Sequence, residues 1–250
     1  MTEAAFAVLT RDPASAAAYA AALAPLGLEA IAMPVTKHAP AADPQALGRA
    51  LEEGRYAAVV VASPRAAHEL ARAAAARELP EVWAVGPATR RALEIARIRA
   101  RLPDGARDAA ELARRLVAER PLAGRRVLVP RAEEGRTEGL AILRAAGAVV
   151  VDVIAYRTVA VGADDPDIAR GAELLRAGHA AVCAVFAPSQ VAALAAIAGP
   201  LGALATRFCA IGETTGEALR AAGVVEVAVA PEPTPEGMAR AVGSVYPGRA

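Results

Sequence analysis

The feature that most constrains this chain is an internal repeat. VGPATRRAL at 85–93 reappears as IGETTGEAL at 211–219, which sets Gly86 against Gly212, 126 positions further on. VVASPRAA at 60–67 reappears as VFAPSQVA at 185–192, with Pro64 against Pro188 at an offset of 124. VLTR at 8–11 reappears as LVPR at 128–131, with Arg11 against Arg131 at an offset of 120. Three motifs recurring in one order at nearly constant spacing mark a duplicated unit, because alanine bias alone does not preserve order.

The repeated unit alternates short β-branched runs with alanine-rich helical stretches, the pattern of a parallel sheet covered by helices. Ten strands are expected, beginning near Phe6, Leu28, Ala58, Val82, Ile98, Val127, Val149, Val182, Phe208 and Val225. Helix starts are punctuated by Asp12-Pro13, Asp43-Pro44, Ser63-Pro64, Gly86-Pro87, Asp165-Pro166 and Thr234-Pro235, each setting a capping residue before a proline. Asp108 and Glu111 have capping-box spacing, and Gly27, Gly147, Gly178 and Gly223 sit where helices should stop. Ala67, Leu70, Ala71 and Ala74 form a narrow apolar stripe that belongs to the core. The expectation is an α/β protein with two similar five-strand units. A tandem duplication can fold as two consecutive domains or exchange segments between its halves, and the crossing points would then be Met33–His38 and Ile154–Val159.

Composition narrows the function. With 28 basic and 27 acidic residues the net charge is +1, so no global field attracts nucleic acid or an anionic membrane. An anionic ligand must be held locally. Aromatic residues are 3% of the chain, so large stacking surfaces are scarce. Cys183 and Cys209 lie in apolar runs without metal-ligand spacing and read as reduced core cysteines. The N-terminus lacks a basic signal-peptide region and no run approaches the roughly 18 apolar residues of a membrane span, so a cytoplasmic protein is expected.

In open parallel sheets, ligands bind where strands end and helices begin, at free N–H groups. Those turns hold Thr10-Arg11, Ser63-Pro64-Arg65, Gly86 to Thr89, Pro130-Arg131, Pro188-Ser189 and Gly212 to Thr215, including Thr214, with Arg136 nearby. Backbone donors, hydroxyls and guanidinium groups together suit carboxylates or phosphates. The plainer readings are helix caps for the hydroxyls and solvated surface charge for Arg65, Arg131 and Arg136. No GxGxxG fingerprint follows a strand, and no phosphate loop, HExxH or GxSxG occurs. His68 and His179 read as surface or filler residues, while His38, beside a crossing segment, stays open. Tyr156, one of four tyrosines, lies at the other crossing segment with a phenol able to donate a proton; its plainer reading is interfacial packing.

These motifs resemble those of the uroporphyrinogen-III synthase family. The pieces are LTR (9–11), the glycine and proline of GLEAIAMP (27–34), VASPRA (61–66), VWAVGPAT (82–89), RVLVPRAEEGR (126–136), VDVIAYRTV (151–159), FAPSQV (186–191), CAIGETTGEAL (209–219) and PTPEGMA (233–239). The resemblance spans about the whole chain in the family's order. It implies two flavodoxin-like α/β domains joined by a two-stranded linker, with substrate in a cleft between them. Residues 1–35 plus 161–250 would form one domain and 36–160 the other, with linkers near 33–40 and 154–163.

The implied reaction closes hydroxymethylbilane, a linear polycarboxylate tetrapyrrole, into the type III ring with ring D inverted and water lost. Because pyrrole supplies its own electron push, the resemblance implies no cofactor and no metal. Tyr156 matches the family tyrosine that would act as acid toward the departing hydroxyl. Thr10, Arg11, Ser63, Pro64, Arg65, Gly86, Thr89, Pro130, Arg131, Arg136, Ser189, Gly212, Thr214 and Thr215 would contact substrate. Ala187 stands where the family usually carries a serine and lacks that hydroxyl, while Pro188 and Ser189 keep the turn and Ser189 can offer its own hydroxyl and N–H. A monomer acting on a small molecule is expected, without nucleic acid or membrane partners. The rival readings are a noncatalytic module that binds a tetrapyrrole or another anionic ligand and, more weakly, a nucleotide-dependent oxidoreductase, which lacks its glycine fingerprint.

Overall fold

The computed structural model describes residues 5–75 and 77–246. The chain begins with β1 (Ala5–Leu9), α1 (Pro13–Leu23), β2 (Leu28–Ala32), β3 (Thr36–Pro40), α2 (Ala46–Glu53), β4 (Ala58–Val61) and α3 (Pro64–Ala74). It continues through β5 (Val82–Ala84), α4 (Gly86–Ile95), β6 (Ala100–Arg101), α5 (Ala109–Glu119), β7 (Arg126–Ala132) and α6 (Glu138–Ala145). It then runs through β8 (Val149–Ala160), α7 (Pro166–Arg176), β9 (Ala180–Val185), α8 (Pro188–Ala198), β10 (Arg207–Ala210), α9 (Glu213–Ala221), β11 (Val227–Val229) and α10 (Pro235–Val245).

The strands build two sheets, ordered β11-β10-β9-β1-β2 and β3-β8-β7-β4-β5-β6. The chain divides into two compact units, one of Met1–Lys37 with Val159–Ala250 and one of His38–Thr158. Residues 1–4 and 247–250, assigned by the sequence reading to the first domain, lie outside the described residues. Setting β3 aside, each sheet has the order 2-1-3-4-5 when its strands are numbered from β1 or from β7. That order reverses between β1 and β9 in one unit and between β7 and β4 in the other, and such reversals open a crevice at the strands' carboxyl ends.

Alternation along the strands makes both faces of each sheet apolar. In β4, Val59 and Val61 join the core under α2, α3 and α4, while Ala58 and Val60 join the core under α5 and α6. In β9, Cys183 and Val185 face one core and Val182 and Ala184 the other. Cys209 lies on the face opposite Cys183; both are free, buried thiols, and burial pushes that of Cys209 up to about 12. Among the described residues no helix is long and apolar enough to cross a membrane.

Several local expectations need correction. Eleven strands form among the described residues rather than ten, because Thr36–Pro40 pairs as an edge strand; its polar, largely exposed sequence carries no β-branched run to announce it. The Asp43-Pro44 pair does not open a helix: the Asp43 carboxylate accepts the Gln45 N–H and pairs with Arg49, closing a turn, and α2 starts at Ala46. Gly86 does not cap α4 from outside but opens it at φ +74, a left-handed conformation that a side chain would strain. The strands expected near Ile98 and Val225 begin at Ala100 and Val227; Val225 is 91% exposed, in the turn before its strand.

Candidate functional site

In the His38–Thr158 unit, the crevice at the β7/β4 reversal is a cavity of about 290 Å³. Val60, Val129, Leu140 and Leu143 give it apolar walls, and Ser63, Pro130, Arg131, Arg136 and Tyr156 bring five of the sequence-predicted residues to it. Helices α5 and α6 meet closely beside it, because Gly139 has no side chain to strike the Ala109 carbonyl; a Cβ there would lie 2.8 Å from that oxygen.

Tyr156 reaches the cavity through an irregularity in strand pairing. Arg131 faces Ile154 across β7 and β8, yet Ala132 faces Tyr156, so one residue of β8 is left over. Strict alternation would turn Ala155 and Tyr156 to opposite faces, whereas both are buried in one core. The bulge thereby aims the phenol at α3. There its Oη lies 3.1 Å from Ser63 Oγ, which caps α3 by accepting the Ala66 N–H at 3.1 Å. With its oxygen accepting from Ala66, the Ser63 hydroxyl can donate to Tyr156 and leave the phenol proton to point into the cavity. The His38 ring packs edge-on against Tyr156, with centroids 5.2 Å apart.

The arginines divide into committed and available. Arg131 donates to Asp152 through Nε at 2.7 Å and Nη2 at 3.0 Å, and its Nη1 meets the carbonyls of Ala132 at 2.8 Å and Glu133 at 3.0 Å. Four of its five N–H groups are therefore engaged inside the protein, which leaves one Nη2 N–H for a direct contact with an anion. Arg136 and Arg107 line the cavity with exposed side chains, and neither has an ion pair among the described residues. The expected capping box forms with a shifted return bond: Asp108 accepts the Glu111 N–H, but Glu111 accepts the N–H of Arg107, the residue before the N-cap, and so holds the Arg107 backbone.

Other predicted residues of this unit lie off the cavity lining. Pro64 is exposed at the start of α3, and Thr89 is buried in α4 beyond Gly86. Arg65 pairs with the buried Glu69 at 2.6 Å, and Arg72 pairs with the same carboxylate.

In the other unit, Thr10 and Arg11 follow β1 at its own order reversal. Thr10 is buried and its hydroxyl meets the Ala184 carbonyl and Gln190 Oε1, while Gln190 also accepts the Phe186 N–H and donates to the Thr10 carbonyl. Gln190 thus ties β1 to β9 where Ala187 provides no capping side chain. The Arg11 guanidinium carbon lies 5.0 Å from the Tyr19 ring centroid and 4.7 Å from that of Phe186. Ser189 is exposed in the first turn of α8, Gly212 is the N-cap of α9, Thr214 is exposed and Thr215 is buried.

Sequence reasoning missed Arg107, although its place just before a capping box at a helix start was a usable signal. It also missed Asp152 and Gln190, whose partners depend on strand register. Among the described residues no group of three or more His, Cys, Asp or Glu side chains is arranged to hold a metal ion.

The chain matches the family profile described as uroporphyrinogen-III synthase HemD over residues 17–240. No curated protein sequence matches it. Among solved structures it is similar to a mutant uroporphyrinogen III synthase from the extremely thermophilic bacterium Thermus thermophilus, with 22% identity, TM-score 0.59, and 98% of this chain and 100% of that one covered. It is also similar to uroporphyrinogen-III synthetase from Helicobacter pylori, with 14% identity, TM-score 0.63, and coverage of 96% and 99%. At these identities the structural likeness is one of fold, while the profile match covers most of the sequence. This chain belongs to the uroporphyrinogen-III synthase family.

Proposed function

We propose that the protein cyclises hydroxymethylbilane to uroporphyrinogen III, as a lyase that needs no cofactor, and that part of the tetrapyrrole occupies the cavity at the β7/β4 reversal. The observation that carries this reading is the Tyr156 phenol, aimed by a strand bulge and held by Ser63 at the edge of that cavity. The cavity is at the small end of ligand sites, so it suits one substituted pyrrole rather than the whole chain of four.

The reaction begins when the terminal hydroxymethyl carbon loses its oxygen. Pyrrole nitrogen pushes electrons toward that carbon as the C–O bond breaks, leaving an azafulvenium cation. The departing oxygen takes a proton and leaves as water; Tyr156 is positioned to supply it, with Ser63 keeping the phenol oriented. Ring D then attacks the cation at its already substituted carbon, giving a spiro intermediate. The older bond at that carbon breaks and closes again at the free α-carbon, inverting ring D, and loss of a proton restores the pyrrole. Apolar walls exclude water that would trap the cation, and Arg136 at the rim meets a substrate carboxylate.

The test is incubation with hydroxymethylbilane followed by isomer analysis of the uroporphyrinogen formed. Type III product well above the enzyme-free control supports the proposal. A mixture no richer in type III than that control refutes it.

A further inference from the structure

We propose that Asp152 is a positioning residue for substrate binding, acting through Arg131 on the segment that carries Arg136. The inference rests on the synthase reading for its substrate and on this structure for its geometry. Asp152 lies on β8 opposite Val129, two residues before the position facing Arg131, and reaches along the pair of strands to grip the guanidinium with both carboxylate oxygens. The two side chains are only 17% and 24% exposed, so solvent screens this pair less than it would a surface pair.

Gripped on one edge by Asp152, the guanidinium turns its remaining nitrogen to the chain that follows. Nη1 meets the carbonyls of Ala132 and Glu133, and the Gly135 carbonyl lies 3.5 Å away. The Gly135 N–H closes the same turn onto the Ala132 carbonyl at 3.0 Å, and the Glu133 N–H is anchored to the Tyr156 carbonyl at 2.9 Å. Arg136, the next residue, therefore leaves a turn whose carbonyls converge on one cation. A planar fork fixed by a bidentate carboxylate is suited to this task in a way a lysine is not. Without Asp152, the guanidinium would be free to swing from the turn, and Arg136 would sample positions away from the cavity rim.

The experiment compares the wild-type protein with Asp152→Asn, Arg136→Ala and the double variant in hydroxymethylbilane turnover. Asp152→Asn should raise KM by about tenfold, the scale of one charge-assisted hydrogen bond, while kcat changes less. In the Arg136→Ala background it should add little, because the residue it positions is gone. A wild-type KM in Asp152→Asn, or the same rise in both backgrounds, overturns the proposal.

A second arm needs no substrate and includes Arg131→Lys, in case Asp152→Asn does not fold. Trypsin cleavage after Arg136 should be several-fold faster in either folded variant than in the wild type. Unchanged cleavage overturns the proposal. Failure of wild-type protein to make the type III isomer would instead refute the synthase reading and leave this arm intact.

Discussion

Two helical glycines of the same unit should respond to alanine with opposite signs. Gly139 lies in α6, where a Cβ would sit 2.8 Å from the Ala109 carbonyl oxygen, 3.1 Å from its carbon and 3.4 Å from its Cβ. Restoring ordinary contact needs a shift of about 0.6 Å between two packed helices, and the obstructing atoms are backbone. Overpacking of this kind costs about 1–3 kcal/mol, from which about 1 kcal/mol of helix propensity is recovered, so Gly139→Ala should lose up to about 2 kcal/mol. Gly48 lies in α2 with nothing within 4 Å of its virtual Cβ. Gly48→Ala should gain about 0.5–1 kcal/mol from propensity and reduced freedom of the unfolded chain. Thermal denaturation reads both, at about 2–4 °C per kcal/mol for a chain of this size. Both sites belong to His38–Thr158, so they report on the same unit. Two shifts of the same sign would refute the argument that α5 and α6 are packed to contact at Gly139.

Tyr156→Phe removes one hydroxyl from a buried ring and leaves Ser63 its bond to Ala66. Turnover of hydroxymethylbilane should fall by about 10²-fold or more if the phenol donates the proton, with a stability loss of about 1 kcal/mol; wild-type turnover would make Tyr156 structural. Asp12 caps α1, and hydrogen bonds from Ser15 hold its carboxyl below its ordinary 3.8. A depressed folded-state pKa gives stability that is complete above the unfolded value and lost as pH falls through the folded one. Asp12→Ala should therefore cost about 1 kcal/mol in urea denaturation at pH 7 and progressively less below pH 4, whereas a difference that grows with acid would contradict the assignment.

Much of the fold was legible because its signals are local. Ser63-Pro64 and Asp165-Pro166 announce helices through side chains that cap their own next residues. The apolar run of β4 announces a strand buried on both faces. Strand Thr36–Pro40 escaped because its pairing comes from a neighbour rather than from its own composition. At the candidate site, the repeat picked out Ser63 and Arg131, and the crossing segment Tyr156, but not the contacts each makes. Arg131 looked available because Asp152, 21 residues away, meets it only through the register of two strands. The bulge that turns Tyr156 beside Ala155 is invisible in VDVIAYRTV, which reads as an unbroken run. The repeat also implied equivalence between Arg11 and Arg131, yet one stacks on Tyr19 and Phe186 and the other is locked to a carboxylate.

In the proposed reaction part of the tetrapyrrole sits at the β7/β4 reversal, beside Tyr156. Amide hydrogen exchange with and without saturating uroporphyrinogen III tests it directly. Protection should appear at the amides of Ala62 and Ser63, Arg107 to Ala109, Arg131 and Ala132, and Gly135 and Arg136, which line the cavity. Protection elsewhere with these amides unchanged would contradict the assignment.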